Sequence, residues 1–101
     1  MIKERVKSEY IIRKICDYFN LEESLVFSKW RKKELVKARH YIIYYMYYYG
    51  ETVGSPSAIR DVFKKRGGIT NHASVIYAVK RIEDDLSYSI DANRTILEID
   101  A

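Results

Sequence analysis

Apolar residues recur at three- and four-residue steps along most of the chain, the spacing that gives a helix one buried stripe. The first such run reaches from about Lys3 to Phe19, with Val6, Tyr10, Ile11, Ile15, Tyr18 and Phe19 on one face. Asn20 is placed to stop it. A short helical turn from Glu22 to Phe27 follows, with two glutamates in its first turn, where the helix dipole favours negative charge. The next helix is expected from Lys29 or Trp30 to Tyr49, capped by Ser28, with Trp30 anchoring its start against the first helix. Leu35, Ala38, Ile42, Tyr45, Met46 and Tyr49 line one side, and from Tyr41 onward nearly every position is apolar or aromatic. A helix that is apolar all round is a central one, and Gly50 follows it as a glycine cap.

Ser55-Pro56 opens another helix, with a capping hydroxyl followed by proline at the first helical position. Ala58, Ile59, Val62 and Phe63 form its apolar face, and it should end near Lys65. Gly67-Gly68 is a turn, after which Thr70 or Asn71 caps a helix running to about Leu86. Val75, Ala78, Val79, Ile82 and Leu86 point inward on that helix; Ala73, Tyr77, Lys80 and Asp84 point outward, flanked by Ser74 and Ile76. Asp91 is a candidate cap for a last short helix, Ala92 to Ile99, with an extended tail as the alternative. The pair Pro56–Lys65 and Asn71–Leu86, joined by a glycine turn, reads as a helix-turn-helix. The small residues at the tip of the second helix would let it approach base edges in a major groove. The expected fold is an all-α helical bundle.

With 101 residues, 48% of them hydrophobic, the chain has the length for one domain and one core. That core is expected over about residues 5–87, with 88–101 as a C-terminal extension. One proline and four glycines argue for helices over strands. The single cysteine, Cys16, has no intramolecular partner and lies in an apolar helical run, which suits a core position in a reducing cytoplasm. The N-terminus is charged and lacks a signal-peptide core, and the apolar window Tyr41–Tyr49 is shorter than the roughly 20 residues a bilayer requires.

A net charge of +4 is a weak pointer to nucleic acid; its distribution says more. Lys29, Arg31, Lys32, Lys33, Lys37 and Arg39 face a single acid, Glu34, and Lys64, Lys65 and Arg66 precede the glycine turn. Glu83, Asp84, Asp85, Asp91, Glu98 and Asp100 make an acidic end, expected to point away from a polyanion. His40, His72 and Cys16 are too scattered for a zinc site, and His40 reads as structural or solvent-facing. No nucleophile–base pair or acid pair stands out, so the chain does not read as an enzyme. The six tyrosines between Tyr41 and Tyr49 suit core and rim packing better than a stacking platform for single strands.

Two segments together carry a family resemblance. Lys37-Ala38-Arg39-His40-Tyr41-Ile42-Ile43-Tyr44-Tyr45-Met46 is one; the other combines Gly67-Gly68, Asn71-His72-Ala73-Ser74-Val75 and Ala78-Val79-Lys80-Arg81-Ile82. In type and spacing they resemble the C-terminal DNA-binding domain of the bacterial replication initiator DnaA, over about Ile11 to Leu86. The resemblance implies a Trp-repressor-like helix-turn-helix fold and double-stranded DNA as partner. It implies Arg31 in the minor groove, favoured over A·T-rich sequence. It sets Asn71, His72, Ala73, Ser74 and Ile76 against base edges. Lys33 and Arg39 match basic positions near the phosphate backbone; Lys64, Lys65 and Lys80 are added as phosphate contacts from their charge and placement.

The departures are specific. Asn71 stands where the family has an aspartate, which would shift a cytosine contact toward adenine. Ala73 lacks the family's hydroxyl, Thr70 replaces an arginine, and one extra residue lies between Gly68 and His72. The phosphate-binding pattern GxxxxGK[ST] of the initiator's ATPase domain is absent from these 101 residues. The expectation is a free-standing copy of the DNA-binding end, with an excised domain as the alternative, favouring a monomer. It would need no cofactor, metal, small-molecule substrate or membrane, and would act at the cytoplasmic nucleoid, in replication initiation or its regulation. The runner-up is a protein-interaction module of the same fold that docks through the tyrosine-rich helix. An RNA or single-strand binder is the third reading.

Overall fold

The computed structural model describes residues 6–68 and 71–100. They form α1 (Ser8–Phe19), α2 (Glu23–Val26), α3 (Lys33–Tyr48), α4 (Pro56–Lys65), α5 (His72–Tyr88) and α6 (Ile90–Asp100). Among the described residues there is no strand, only an isolated bridge between Val6 and Gly50. That bridge, with Val6 N–H donating to the Tyr49 carbonyl at 3.2 Å, holds Val6 extended. α1 therefore starts after Val6 rather than at Lys3, which itself lies outside the described residues. The Glu51 carboxylate accepts from Ser8 N–H at 3.0 Å, meeting the positive end of α1 with a charge from the α3–α4 connection.

α3 is central and packs against α1, α2, α4 and α5. Leu35, Ala38, Tyr41, Ile42, Ile43, Tyr45 and Met46 are buried on it, joined by Ile59 and Phe63 of α4 and by Val75, Ala78, Val79 and Ile82 of α5. On α1 the buried apolar set is Ile11, Ile12, Ile15 and Cys16, while Tyr10 and Tyr18 lie outside. The expected stripe was thus rotated by a residue: aliphatic side chains go in, and the tyrosines keep their hydroxyls in water. Tyr49, expected in the core, is likewise exposed. Burial pushes the Cys16 thiol up to about 11, with Glu23 and Asp17 adding to the effect, so it is a protonated core group.

Three ends differ from the sequence reading. α3 begins at Lys33, so Ser28 does not cap it; the Ser28 hydroxyl donates to Leu25 O and accepts from Trp30 N–H. Trp30 consequently sits in the α2–α3 connection, 54% exposed, with the Lys32 ammonium 5.1 Å from its ring centroid. Gly50 is not a left-handed cap. It is favoured by close approach, because a Cβ there would lie 3.1 Å from the Met46 backbone and from Ile11 and would push them apart. The last segment is a full helix, capped by Ser89, whose hydroxyl accepts from Ala92 N–H at 3.1 Å, not by Asp91. Ala92, Thr95 and Ile99 are buried on α6 at helical spacing, so the extended-tail alternative does not hold and residues set apart as an extension reach the core.

α3 is also a charge axis. Its N-terminal end follows Arg31 and Lys32. Near its other end Tyr45 donates to Asp100 at 2.8 Å and Tyr48 to Glu83, while Tyr18 of α1 donates to Glu98. The Tyr45 and Tyr48 hydroxyls therefore gather carboxylates from α6 and α5 at the end away from the basic loop, while the Tyr18–Glu98 pair lies beside Phe19, whose ring packs on Tyr41.

Candidate nucleic-acid interface

The turn between α4 and α5 is set by its glycines. Gly67 takes φ +81°, Gly68 N–H donates to the Phe63 carbonyl at 2.9 Å and Gly67 N–H to Lys64 O at 3.1 Å. This is the Schellman arrangement, with the glycine supplying the left-handed residue at no steric cost. At the entry to α4, Ser55 Oγ accepts from Ala58 N–H at 3.2 Å and Pro56 begins the helix, as the sequence indicates. Ile69 and Thr70 lie outside the described residues, and with them the candidate cap at Thr70. Asn71 is the cap of α5: its Oδ1 accepts from Ser74 N–H at 2.8 Å.

Asn71, His72, Ala73 and Ser74 are exposed, and Ile76 is half-buried. Lys80 is exposed on the same helix, seven residues or about 10 Å along the axis from Ala73. Lys64 and Lys65 are exposed in the last turn of α4, where their charge also favours that helix end. Lys33 is exposed at the first turn of α3, and Arg31 is exposed just before it. The bonding fixes the Asn71 amide, since a backbone N–H needs an acceptor: Oδ1 faces Ser74, and the Nδ2 donors have no partner among the described residues. Asn71→Ala should cost about 1 kcal/mol in urea unfolding through loss of the cap, while Asn71→Asp, which keeps an acceptor, should not.

The basic loop and the helix-turn-helix meet. A cleft of roughly 250 Å³ is lined by Lys29, Arg31 and Arg39 together with Phe27, Phe63 and Gly68. Asn71 follows Gly68 by three residues, so its Cα lies within about 11 Å of the glycine whatever path the chain takes. Phe27 and Phe63 pack edge-on, ring centroids 4.9 Å apart, and Arg66 bridges to the Glu23 carboxylate at 3.0 Å beside the Phe27 ring. α2 is thereby joined to the end of α4.

Not every cation is free to meet a polyanion. The Arg39 guanidinium donates to the carbonyls of Val26, Ser28 and Trp30. Burial pushes its pKa down from the usual value, with the nearby Arg31 charge adding; it remains cationic. Arg66 and Arg81 are paired with Glu23 and Asp85. Lys29, counted in the basic run but not singled out as a contact, lines the cleft; its relation to Gly68 is tertiary and leaves no mark in sequence. His40 is half-buried, its ring 5.9 Å from Tyr77 on α5, and burial together with Arg81 lowers its pKa. It belongs to the α3–α5 contact. Among the described residues no three His, Cys, Asp or Glu side chains converge to hold a metal, and no helix is long and apolar enough to cross a membrane.

Residues 8–82 match the family model described as the bacterial dnaA protein helix-turn-helix. The chain belongs to that family. It is 31% identical over 91 residues to the chromosomal replication initiator protein DnaA of Bacteroides thetaiotaomicron, which covers 90% of this chain and 18% of that relative. To the protein of the same name from Flavobacterium psychrophilum it is 29% identical over 87 residues, 82% of this chain and 16% of the relative. The chain thus spans less than a fifth of the length of these relatives. No solved structure matches it by the same measure. The matched residues include α4, the glycine turn and most of α5, and the resemblance read from the two sequence segments is that of the family.

Proposed function

We propose that this chain binds double-stranded DNA sequence-specifically, with the N-terminal turn of α5 in the major groove and Arg31 in the adjacent minor groove. One observation carries the reading: Arg31 and Gly68 line one cleft, and Gly68 leads within three residues to the exposed turn Asn71–Ser74, in a chain of the DnaA helix-turn-helix family. His72, Ala73, Ser74 and Ile76 join Asn71 at base edges, and Lys33, Lys64, Lys65 and Lys80 meet phosphates. The Asn71 Nδ2 donors suit a purine N7, and the second lone pair of Oδ1 suits the adenine amino group. An arginine in a narrow minor groove favours A·T steps. The relatives' name points to a replication origin as the DNA and to initiation or its control as the process, without an ATPase in these 101 residues.

Selection of bound duplexes from random sequence, followed by binding titrations on the selected and a scrambled duplex, tests this. His72→Ala should cost about 1–3 kcal/mol on the selected duplex and little on the scrambled one. Arg31→Ala should weaken binding and relax the A·T preference. Asn71→Asp should weaken the selected site without lowering stability. Equal losses on both duplexes would remove His72 from readout. Single strands that compete as well as duplex would favour the third reading, and absence of any duplex binding would leave the protein-interaction reading.

A further inference from the structure

We propose that Arg39 is a positioning residue: it shapes the loop that presents Arg31, instead of contacting DNA itself. The inference rests on the duplex-binding reading for its functional consequence, but its structural half stands alone. Arg39 lies on α3 and reaches back across the α2–α3 connection. Nε donates to the Val26 carbonyl, and Nη2 donates to Ser28 O at 2.8 Å and Trp30 O at 2.6 Å. Carbonyls of every second residue from 26 to 30 thus converge on one guanidinium.

That stretch has little else to define its path. α2 is a single turn, Glu23–Val26, and α3 starts only at Lys33 with no side-chain cap. The carbonyls it leaves need donors. The stretch also carries Lys29, Arg31 and Lys32, whose charges repel one another and favour an open, solvated loop. A planar fork that gathers three carbonyls ties the backbone just before Arg31 to α3, which begins just after it. A lysine in its place keeps the charge but concentrates its donors at one point, and cannot span the same three oxygens. The conservative substitution therefore separates geometry from charge.

Trp30 is the chain's one tryptophan and lies inside the clamped stretch, so it reports on the loop without DNA. The experiment uses the whole chain and Arg39→Lys. In the free variant, Trp30 fluorescence should become more quenchable by acrylamide and its anisotropy should fall, while the far-UV helical signal is kept. On the selected duplex the affinity should drop about tenfold, and in an Arg31→Ala background the same change should cost less than about twofold, the non-additivity of coupled residues. The salt slope should be unchanged. Full affinity and an unchanged Trp30 signal in Arg39→Lys would overturn the proposal in favour of charge alone. Equal losses with and without Arg31 would assign Arg39 to a contact of its own. Should the variant not fold, the wild-type protein still decides: Arg39 Nε–H should exchange slowly with solvent, and rapid exchange in the folded protein would overturn the clamp. If wild-type protein binds no duplex, the function proposed above fails while the Trp30 and exchange measurements still judge the clamp.

Discussion

Raising the salt from about 50 to about 200 mM will weaken duplex binding roughly a hundredfold, with a log–log slope near about −4. The number follows from Lys33, Lys64, Lys65 and Lys80, each neutralising one phosphate and releasing its counterion at about 0.9 per contact. All four are exposed. The net charge of +4 would suggest a diffuse attraction. The arrangement argues otherwise, because Arg66 and Arg81 are paired with Glu23 and Asp85, and the acids Glu83 and Asp100 lie with tyrosine hydroxyls toward the other end of α3. Removing Lys64 and Lys65 together should lower the slope by about 2 and weaken selected and scrambled duplexes alike. Titrations at four salt concentrations measure it. A flat response would sink the phosphate assignment and return the chain to the protein-interaction reading.

Phe63→Ala should destabilise the fold by about 3–5 kcal/mol, a large part of the roughly 5–15 kcal/mol that holds a domain of this size. Phe63 is 2% exposed, and its ring packs edge-on against Phe27, the residue just before the Arg31 loop. Its carbonyl also accepts from Arg66 and Gly68 N–H in the turn that leads to α5. Truncating the ring leaves a cavity where α2, α4 and the turn meet, with no nearby side chain released to fill it. Urea unfolding should show the loss with an unchanged slope in denaturant, since the fold itself persists. Phe63→Leu should recover much of it. A loss below about 1 kcal/mol would mean that α4 does not pack on Phe27 as described.

The helix pair, its glycine turn and the cap at Ser55 were legible, and the cap of α5 was narrowed to Thr70 or Asn71, because each is a local pattern: a side-chain oxygen three residues before the N–H it meets, a glycine after the last helical turn, apolar positions at period 3.6. The same reading failed where the chain's local preference was outweighed from a distance. The run Lys29–Lys32 has no helix breaker, yet it is not helical, and the carbonyls of Val26, Ser28 and Trp30 are held by Arg39. Tyr10, Tyr18 and Tyr49 fit the period of a buried stripe but stay outside, since the neighbouring isoleucines fill the same core without a hydroxyl to satisfy. α6 looked short because its buried positions are only Ala92, Thr95 and Ile99; its length became evident from what those residues and Ser89 touch.

What the sequence determined by itself was the all-helical composition, the helix-turn-helix pair and membership of the DnaA family, since periodicity, capping and motif spacing are all written along the chain. Only the tertiary structure decided which cations are paired, that Arg31 and Gly68 line one cleft, and that Arg39 donates to three carbonyls between α2 and α3. Those facts depend on residues such as Arg31 and Gly68, brought together by the packing of α2, α3 and α4, and charge takes its meaning from partners that spacing along the chain does not specify.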